Sequence, residues 1–349
     1  MKKSIIAMAV AGALAVPAIA SADATLYGSL RLAMQDVKGD SLALNDQASR
    51  IGIKGTVDLG LEDTKGLFQL EESVNLNTGG IANGGRLGII GATGSWGTVL
   101  GGRFNHPSVS MVTDYADTSY SGRYANIGAQ YHDKQGNTLA YASPVMSGVQ
   151  VVVGGVFAGD ALSDGEKDKQ VDGYNIGVKY DENDIYAAIA YGNVKSEKSA
   201  VDGSYGVDQN VWGLAVGYTG VENLELKANY SRLKDKTGTS TVIGERLLDV
   251  VQLEDPTADF DSGKATAYNL AAKYHIDATH VYAGYGRTKY TATDAITAES
   301  GSTTVSNHYV GVGQTLGRGA VFAQYENSRG DLKATESART VSLGYRVSF

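Results

Sequence analysis

Histidine, cysteine and serine are the side chains from which most metal centres and nucleophilic sites are built. The sequence has no cysteine, which excludes a thiol nucleophile and a thiolate metal ligand. Its five histidines are scattered, and the closest pair, His275 and His280, straddles a predicted turn instead of sharing one element. Nothing nominates a serine, a histidine and an orienting polar group that converge. The sequence therefore predicts no enzyme, no metal and no cofactor.

The remaining candidate functional residues are charged side chains, which act on ions and solutes electrostatically. Two acids, Asp114 and Asp117, lie in an irregular stretch that runs roughly from residue 104 to 130. Five basic residues occur in predicted strands before it: Arg31, Arg50, Lys54, Arg86 and Arg103. Fixed charges along a water-filled passage act on ions through size and field and make no bonds. We expect the basic residues to point into a lumen. They can line the wall of such a lumen only if the segments that carry them are strands.

The segment of residues 338–349 shows the kind of element required. It reads ARTVSLGYRVSF and alternates without exception. The apolar residues share one face: Val341, Leu343, Tyr345, Val347 and Phe349. A period of two predicts a strand with one apolar face. Because this row runs to a terminal aromatic residue, it favours a strand that closes a transmembrane barrel by pairing with the first strand.

Similar alternating segments recur from residue 24 onwards, and their apolar rows tend to end in tyrosine. The composition agrees, with 21 tyrosines against 6 phenylalanines and 2 tryptophans. Tyrosine has an apolar ring and a polar hydroxyl, which suits a membrane interface. Such rows are harder to explain in the core of a soluble β-sandwich.

The connections between these segments alternate in length. Short turns are predicted at 93–95, 181–184, 220–223, 277–279 and 317–319, and long polar loops at 157–171, 195–207, 234–263 and 290–305. This alternation is typical of outer-membrane barrels. The length allows ~20 residues for each of sixteen strands with its connector. The predicted fold class is all-β, a transmembrane antiparallel β-barrel of about 16 strands around an aqueous lumen.

Residues 1–22 have the features of a secretory signal peptide. Two lysines precede an apolar stretch, residues 5–16, that is too short to span a bilayer. Residues 20–22, Ala-Ser-Ala, provide a cleavage pattern, and cleavage after residue 20 is the alternative. We expect export and a mature barrel domain of residues 23–349. Loss of the two lysines would change the formal charge from −8 to about −10.

Several stretches together resemble the general porin family of Gram-negative proteobacteria. SRIGIKGTVDLG (49–60) is followed by GLFQLEESVNLNTG (66–79) and by GTVLGGRF (97–104). The opening ATLYGSLRL (24–32) and the final YRVSF fit the same pattern. The resemblance is collinear over the leader and most strands, and it diverges in the loops. It implies a homotrimer of water-filled diffusion pores, each with a third loop that folds inward and narrows the lumen.

In this family, acids on the third loop face basic residues of the wall. The resemblance therefore assigns a pore constriction to seven residues: Arg31, Arg50, Lys54, Arg86, Arg103, Asp114 and Asp117. The end of the chain resembles the family's signal for the barrel-assembly machinery, carried here by Tyr345, Val347 and Phe349. Expected partners are outer-membrane lipid and lipopolysaccharide, that machinery, and small hydrophilic solutes. No basic run with interleaved aromatics indicates nucleic acid.

Several alternatives stay open at this level. Inward charges are expected all round a wet lumen, so any assigned residue could lie away from the constriction. Glu71 and Glu72 are adjacent, so one must face away from the lumen, which favours a subunit interface or a place near a loop. The barrel could be a substrate-specific channel, an adhesin or an enzyme. A secreted soluble β protein is disfavoured by the tyrosine rows and the loop alternation.

Overall fold

The alternating segments of the sequence form strands that pair in chain order. The computed structural model describes residues 23–81, 85–121, 134–157, 171–196, 207–236, 260–294, 300–330 and 338–349. Within them, sixteen long antiparallel strands form the wall. They are β1 (Asp23–Val37), β2 (Arg50–Leu61), β3 (Thr64–Asn75), β4 (Leu87–Gly94), β5 (Gly97–Asn105), β6 (Lys134–Ala142), β7 (Val149–Phe157), β8 (Val171–Glu182), β9 (Ile185–Ser196), β10 (Val207–Val221), β11 (Leu224–Asp235), β12 (Phe260–Ile276), β13 (Thr279–Asp294), β14 (Ser300–Leu316), β15 (Gly319–Gly330) and β16 (Ala338–Ser348).

The barrel closes because β16 pairs with β1. The register runs from Ser29 opposite Ser348 to Val37 opposite Thr340. Two short strands, Ala43–Asp46 and Gly80–Ile81, lie in the first and second loops and pair with β1 and β3. The predicted sixteen-stranded antiparallel barrel is therefore confirmed.

The two faces of each strand differ as the alternation predicts. On β16, Val341 and Leu343 are more than half exposed, whereas Thr340 and Ser342 are each 1% exposed. In water an apolar outer surface of this extent would be unfavourable, by about 25 cal/mol for each Å² of apolar area. In a bilayer the same surface is solvated by acyl chains, and every backbone group remains paired in the closed ladder.

Short turns join the strands at one end of the barrel. Asn183 and Asp184 between β8 and β9 both have positive φ, 54° and 62°, as do Asn223 and Asp277 at two further turns. Asparagine and aspartate tolerate this left-handed conformation, which suits two-residue hairpin turns. The long loops predicted at the other end lie largely outside the described residues.

The described helical residues are confined to two short turns in the third loop. Ser108–Thr113 forms a π-helical turn and Asp114–Ala116 a 3₁₀ turn. In the part of the chain that the structure describes, no helix has the length and apolar character needed to cross a membrane.

Candidate functional site

The third loop joins β5 to β6, and its described part, residues 106–121, contacts the inner face of the wall. The Tyr186 hydroxyl of β9 donates a hydrogen bond to the Met111 carbonyl at 2.7 Å. The Asn229 amide of β11 donates to the carbonyls of Val112 and Thr113 at 3.1 and 3.2 Å. Buried wall side chains thus satisfy the carbonyls of the π-helical turn.

Glycines on the inner face leave room for this loop. A Cβ atom added at Gly177 of β8 would lie 2.7 Å from the Met111 sulfur. One added at Gly217 of β10 would overlap the Tyr115 hydroxyl. The Tyr115 ring also stacks on the Tyr186 ring, with centroids 3.6 Å apart. The loop therefore occupies space that any larger side chain at Gly217 would fill.

We expect Gly217→Val to displace the loop and to raise single-channel conductance in planar bilayers. Valine is favourable in a strand, but overpacking a filled site costs typically 1–3 kcal/mol, which is enough to shift a surface loop. Ala228→Val is the control, because Ala228 lies on the outer face of β11 and its change leaves the lumen unaltered. Wild-type conductance in a fully assembled Gly217→Val barrel would contradict the loop contact.

A second contact holds the loop at Tyr120. The Arg346 guanidinium of β16 lies 3.9 Å from the ring centroid and donates a hydrogen bond to the hydroxyl at 3.0 Å. The rings of His280, Tyr282 and Phe322 surround Tyr120, each with a centroid 5.3 Å away. A cation over an aromatic face at a partly desolvated site contributes about 1–2 kcal/mol.

The residue after Tyr120 fixes the loop to β15, β16 and β1. The Gln324 side chain accepts from the Ser121 backbone N–H at 3.3 Å and donates to the Ser121 carbonyl at 3.0 Å. The Ser121 hydroxyl lies 2.9 Å from that of Ser342 and accepts from Gln35 at 2.8 Å. The described part of the loop thus crosses the lumen from β8 to the seam between β16 and β1.

Both predicted acids lie on this loop and share a cavity with two of the predicted bases. Asp114 and Asp117 line a polar cavity of about 1040 Å³ together with Arg31 and Arg86. The Asp117 carboxylate accepts a hydrogen bond from the Ser119 N–H at 3.0 Å. The structure therefore brings four of the seven predicted residues to one water-accessible space.

Asp117 is enclosed by the barrel although lumen water reaches its side chain. Desolvation raises the pKa of its carboxyl, and the Ser119 N–H and the positive charges of Arg31, Lys273 and Lys227 oppose that rise. We expect Asp117 to be ionised at pH 7, because contact with lumen water weakens the desolvation penalty.

Acidification should therefore shift ion selectivity towards anions at a pH above the usual aspartate range of about 4. As pH falls through the raised pKa, the lumen loses one negative charge while its arginines keep theirs. Reversal potentials across a KCl gradient, measured from pH 7 to pH 4, would follow the shift. In Asp117→Asn the same titration should be flatter, and an identical pH profile in the two proteins would refute the assignment.

Three arginines lie near the described part of the loop, since Arg31 and Arg86 line the cavity of the acids and Arg346 contacts Tyr120. Arg31 is directly opposite Arg346 across the seam, and its Nε donates to the Ser29 hydroxyl at 2.9 Å. Directly opposed like charges are destabilising. Arg86 also faces the cavity, although it precedes β4 and does not lie within it. Positive charge therefore dominates the wall across from the loop acids.

Glu71 balances part of that charge. It is 5% exposed and points inward, 2.7 Å from Arg86 Nε and 3.6 Å from Arg50 Nε. The Tyr27 hydroxyl donates to it at 3.1 Å. Its neighbour Glu72 lies on the outer face beside Gly85 of the second loop, which agrees with the expected place near a loop.

Two predicted bases lie elsewhere. Lys54 is exposed near the middle of β2, and its amino group lies 5.2 Å from the Tyr27 ring. Arg103 is the clear correction, because it is opposite Gly88, which faces outward with Leu70. Arg103 donates to the Gly85 carbonyl at 3.2 Å and is exposed. The glycine-rich stretch around it gives too little contrast between faces to assign its direction.

Other lumen residues were absent from the predicted set. Lys227 and Lys273 act on Asp117 electrostatically, and Glu225 pairs with Lys227 at 2.8 Å. Glu225 Oε1 also lies 2.7 Å from His275 Nε2. One of the two histidines that were considered as metal ligands therefore has a carboxylate as its partner. Within the described ranges no group of three or more potential metal ligands occurs. Lys227, Lys273 and Glu225 lie on the polar faces of alternating strands, and that position is the sequence signal that could have identified them as lumen residues.

The family model described as "Gram-negative porin" matches residues 7–331. The chain belongs to the Gram-negative porin family. As a member with this barrel, it is an outer-membrane protein. The major outer membrane protein P.IB of Neisseria gonorrhoeae is 27% identical over 208 residues, which cover 54% of this chain and 56% of that relative. The aligned part thus spans little more than half the relative's length. P.IB of Neisseria meningitidis serogroup B is 33% identical over 131 residues, which cover 34% of this chain and 37% of the relative.

Solved porin structures share the fold over nearly the whole chain. The anion-selective porin of Comamonas acidovorans superimposes with a TM-score of 0.70 at 20% identity, over 94% of this chain and 100% of that one. OmpF of Salmonella typhi, solved with daunomycin, gives 0.66 at 17% identity, over 93% and 97%. These identities show the fold alone. The predicted porin resemblance is confirmed.

Proposed function

We propose that the chain is a porin that forms a water-filled channel for passive diffusion of ions and small hydrophilic solutes. The polar cavity between the third loop and the wall supports this proposal best, because it is lined by charges of both signs. Such a lining acts on solutes by size and field. We infer no enzymatic activity and no cofactor.

The constriction is proposed to lie between the loop acids and the wall bases. Asp114 and Asp117 contribute the negative side, and Arg31, Arg86 and Arg346 the positive side. Arg50 acts through Glu71 at the edge of this group. The resulting transverse field would orient polar solutes as they pass the loop.

Planar-bilayer recording of the detergent-extracted protein tests the channel. We expect stepwise, ohmic conductance that appears in triplets, since the proposed assembly is a homotrimer. One related fold, OmpT of Vibrio cholerae, is described in a trimer form, which supports that assembly. Absence of conductance, together with solubility without detergent, would refute the channel; single steps would refute only the trimer.

Further partners follow from the barrel in a membrane. We propose that outer-membrane lipid and lipopolysaccharide surround it and that the barrel-assembly machinery inserts it through Tyr345, Val347 and Phe349. Residues 1–22 are proposed to be the cleaved signal peptide, and they lie outside the described residues. A substrate-specific channel remains the alternative, and saturable conductance for one solute would favour it.

A further inference from the structure

The inner face of β3, β4 and β5 has apolar side chains where a water-filled lumen favours polar ones. Ile90 is 72% exposed on the outer face of β4, so its neighbours Ile89 and Gly91 point inward. Leu67 of β3 and Leu100 of β5 lie directly opposite Gly91 and share its direction. We call Leu67, Ile89 and Leu100 the apolar strip. On these strands both faces of the wall are apolar.

The described part of the third loop does not cover the apolar strip. The loop residues Met111 and Val112 pack against β9 and β10, and Val152 of β7 lies at the margin of that cluster. None of the three strip residues belongs to an apolar cluster of the described chain, and each is partly exposed. Apolar surface in contact with water is unfavourable. Passage of fully hydrophilic solutes does not require such a surface.

A cavity of about 330 Å³ adjoins the strip at Leu67. Its other inward residues are polar: Asp23, Thr25, Lys54, Thr56 and Gln69. Lys54 is exposed, and among the described residues it has a ring contact with Tyr27 but no ion pair. Thr25 lies directly opposite Lys54, and the Thr56 side chain follows on the same face of β2, so both hydroxyls can donate hydrogen bonds beside the ammonium group. The cavity thus offers a cation and two donors to an anion.

The strand register places the cation and the apolar strip within reach of one small solute. Lys54 is opposite Gln69, and Leu67 follows on the same face of β3. Lys54 and Leu67 are therefore diagonal neighbours, with Cβ atoms about 7–8 Å apart. Leu67 and Leu100 lie on either side of Gly91, two strand spacings or roughly 10 Å apart. A ring that lies over Gly91 contacts both leucines, while a carboxylate attached to the ring reaches Lys54.

We propose that this surface is a subsite for small organic anions in which a carboxylate is attached to an apolar group, such as aromatic monocarboxylates. The Lys54 ammonium pairs with the carboxylate, and the apolar strip removes the ring from water. Asp23 lies opposite Thr56, nearer the short-turn end, and forms no ion pair with Lys54, so the ammonium group remains available to a solute. The subsite rests on the proposed channel function and adds a solute class to it.

Titration of the KCl current with benzoate in planar bilayers at pH 7 tests the subsite, and acetate provides the same carboxylate without a ring. Both anions are ionised there, because carboxyl groups titrate near pH 4. We expect benzoate to reduce the current saturably at a concentration about fivefold below that of acetate, which corresponds to about 40 Å² of ring surface removed from water. Absence of any KCl conductance would refute the channel. Equal titrations by the two anions in a conducting channel would overturn only the subsite.

Variants separate the apolar contribution from the charge. Leu67→Asn/Leu100→Asn should make benzoate as weak as acetate, whereas Leu67→Met/Leu100→Met should keep the difference, because it retains the apolar surface. Lys54→Gln should weaken both anions about fivefold, and Lys54→Arg should not. The matched control is Lys179→Gln, which removes an inward lysine of β8 opposite the buried Ala188. It should change either titration less than twofold, since screening confines its influence to about 8 Å.

Neutral benzamide gives a further arm, because it has the ring without the charge and should act more weakly than benzoate. Benzamide as effective as benzoate would overturn the role of Lys54. An undiminished benzoate preference in the asparagine variant, or its loss in the methionine variant, would overturn the role of the apolar strip. Equal losses in Lys54→Gln and Lys179→Gln would show a general effect of lumen charge and would also overturn the proposal.

Discussion

Asp114→Asn/Asp117→Asn will move the reversal potential across a KCl gradient towards that of an anion-preferring pore. The two carboxylates line the same cavity as Arg31 and Arg86, so their removal leaves more of the wall's positive charge without a nearby negative charge. A unit charge at about 4 Å in water contributes roughly 1 kcal/mol to the free energy of a passing ion. We therefore expect the cation permeability to fall by about fivefold for each carboxylate lost, and the cation-to-anion permeability ratio to fall further, because the same carboxylate repels anions.

A matched control removes two carboxylates at the short-turn end. Glu222→Gln and Asp277→Asn leave the overall charge equal to that of the test variant, and both positions are exposed in turns. Screening at ~0.15 M salt confines their influence to about 8 Å, so the reversal potential should stay at the wild-type value. If the test variant also stays there, the loop acids do not form the constriction.

Deleting Phe349 will reduce the yield of assembled barrel far more than it changes conductance. Gly28 donates its N–H to the Phe349 carbonyl at 3.0 Å, and the Phe349 N–H donates back at 3.2 Å. The phenyl ring lies over Gly28, where an added Cβ would fall 2.5 Å from it. Losing two hydrogen bonds at about 1 kcal/mol each, with the ring contact, weakens the seam by roughly 2 kcal/mol or more.

Heat-modifiable mobility on gels measures the assembled fraction, and bilayer recording measures the channels that do form. Phe349→Tyr should assemble at the wild-type level, because it retains the backbone and an aromatic ring. The few barrels formed by the deletion variant should conduct normally, since Phe349 lies outside the constriction. If the deletion variant assembled normally, the chain end would not have the proposed role in assembly.

The alternating strands could be predicted because each carries its own signal. Residues 338–349 show a period of two without exception, and the structure exposes Val341 and Leu343 while burying Thr340 and Ser342. The short turns are equally local, since Asn183 and Asp184 adopt a conformation that their own side chains favour. Where glycine weakens that contrast, as around Arg103, the predicted direction was wrong.

The lumen contacts of the third loop could not be predicted in the same way. Tyr120 meets Arg346 across a sequence separation of 226 residues, and no local pattern relates the two. The same holds for Asp117 and Lys273, whose proximity depends on how the loop crosses the barrel. The sequence identifies which residues face inward, but only the path of the loop determines which of them meet.

The seam between β1 and β16 has a consequence for the order of folding. Ser29 and Ser348 are cross-strand neighbours although 319 residues separate them, so the ladder cannot close before the last strand is present. Contacts between residues so far apart in the sequence form slowly, because the chain loses loop-closure entropy before these contacts can stabilise it. During that interval β1 exposes an unpaired edge that invites aggregation. Because the barrel closes only when its first and last strands pair, the chain must be protected from aggregation until β16 has paired with β1.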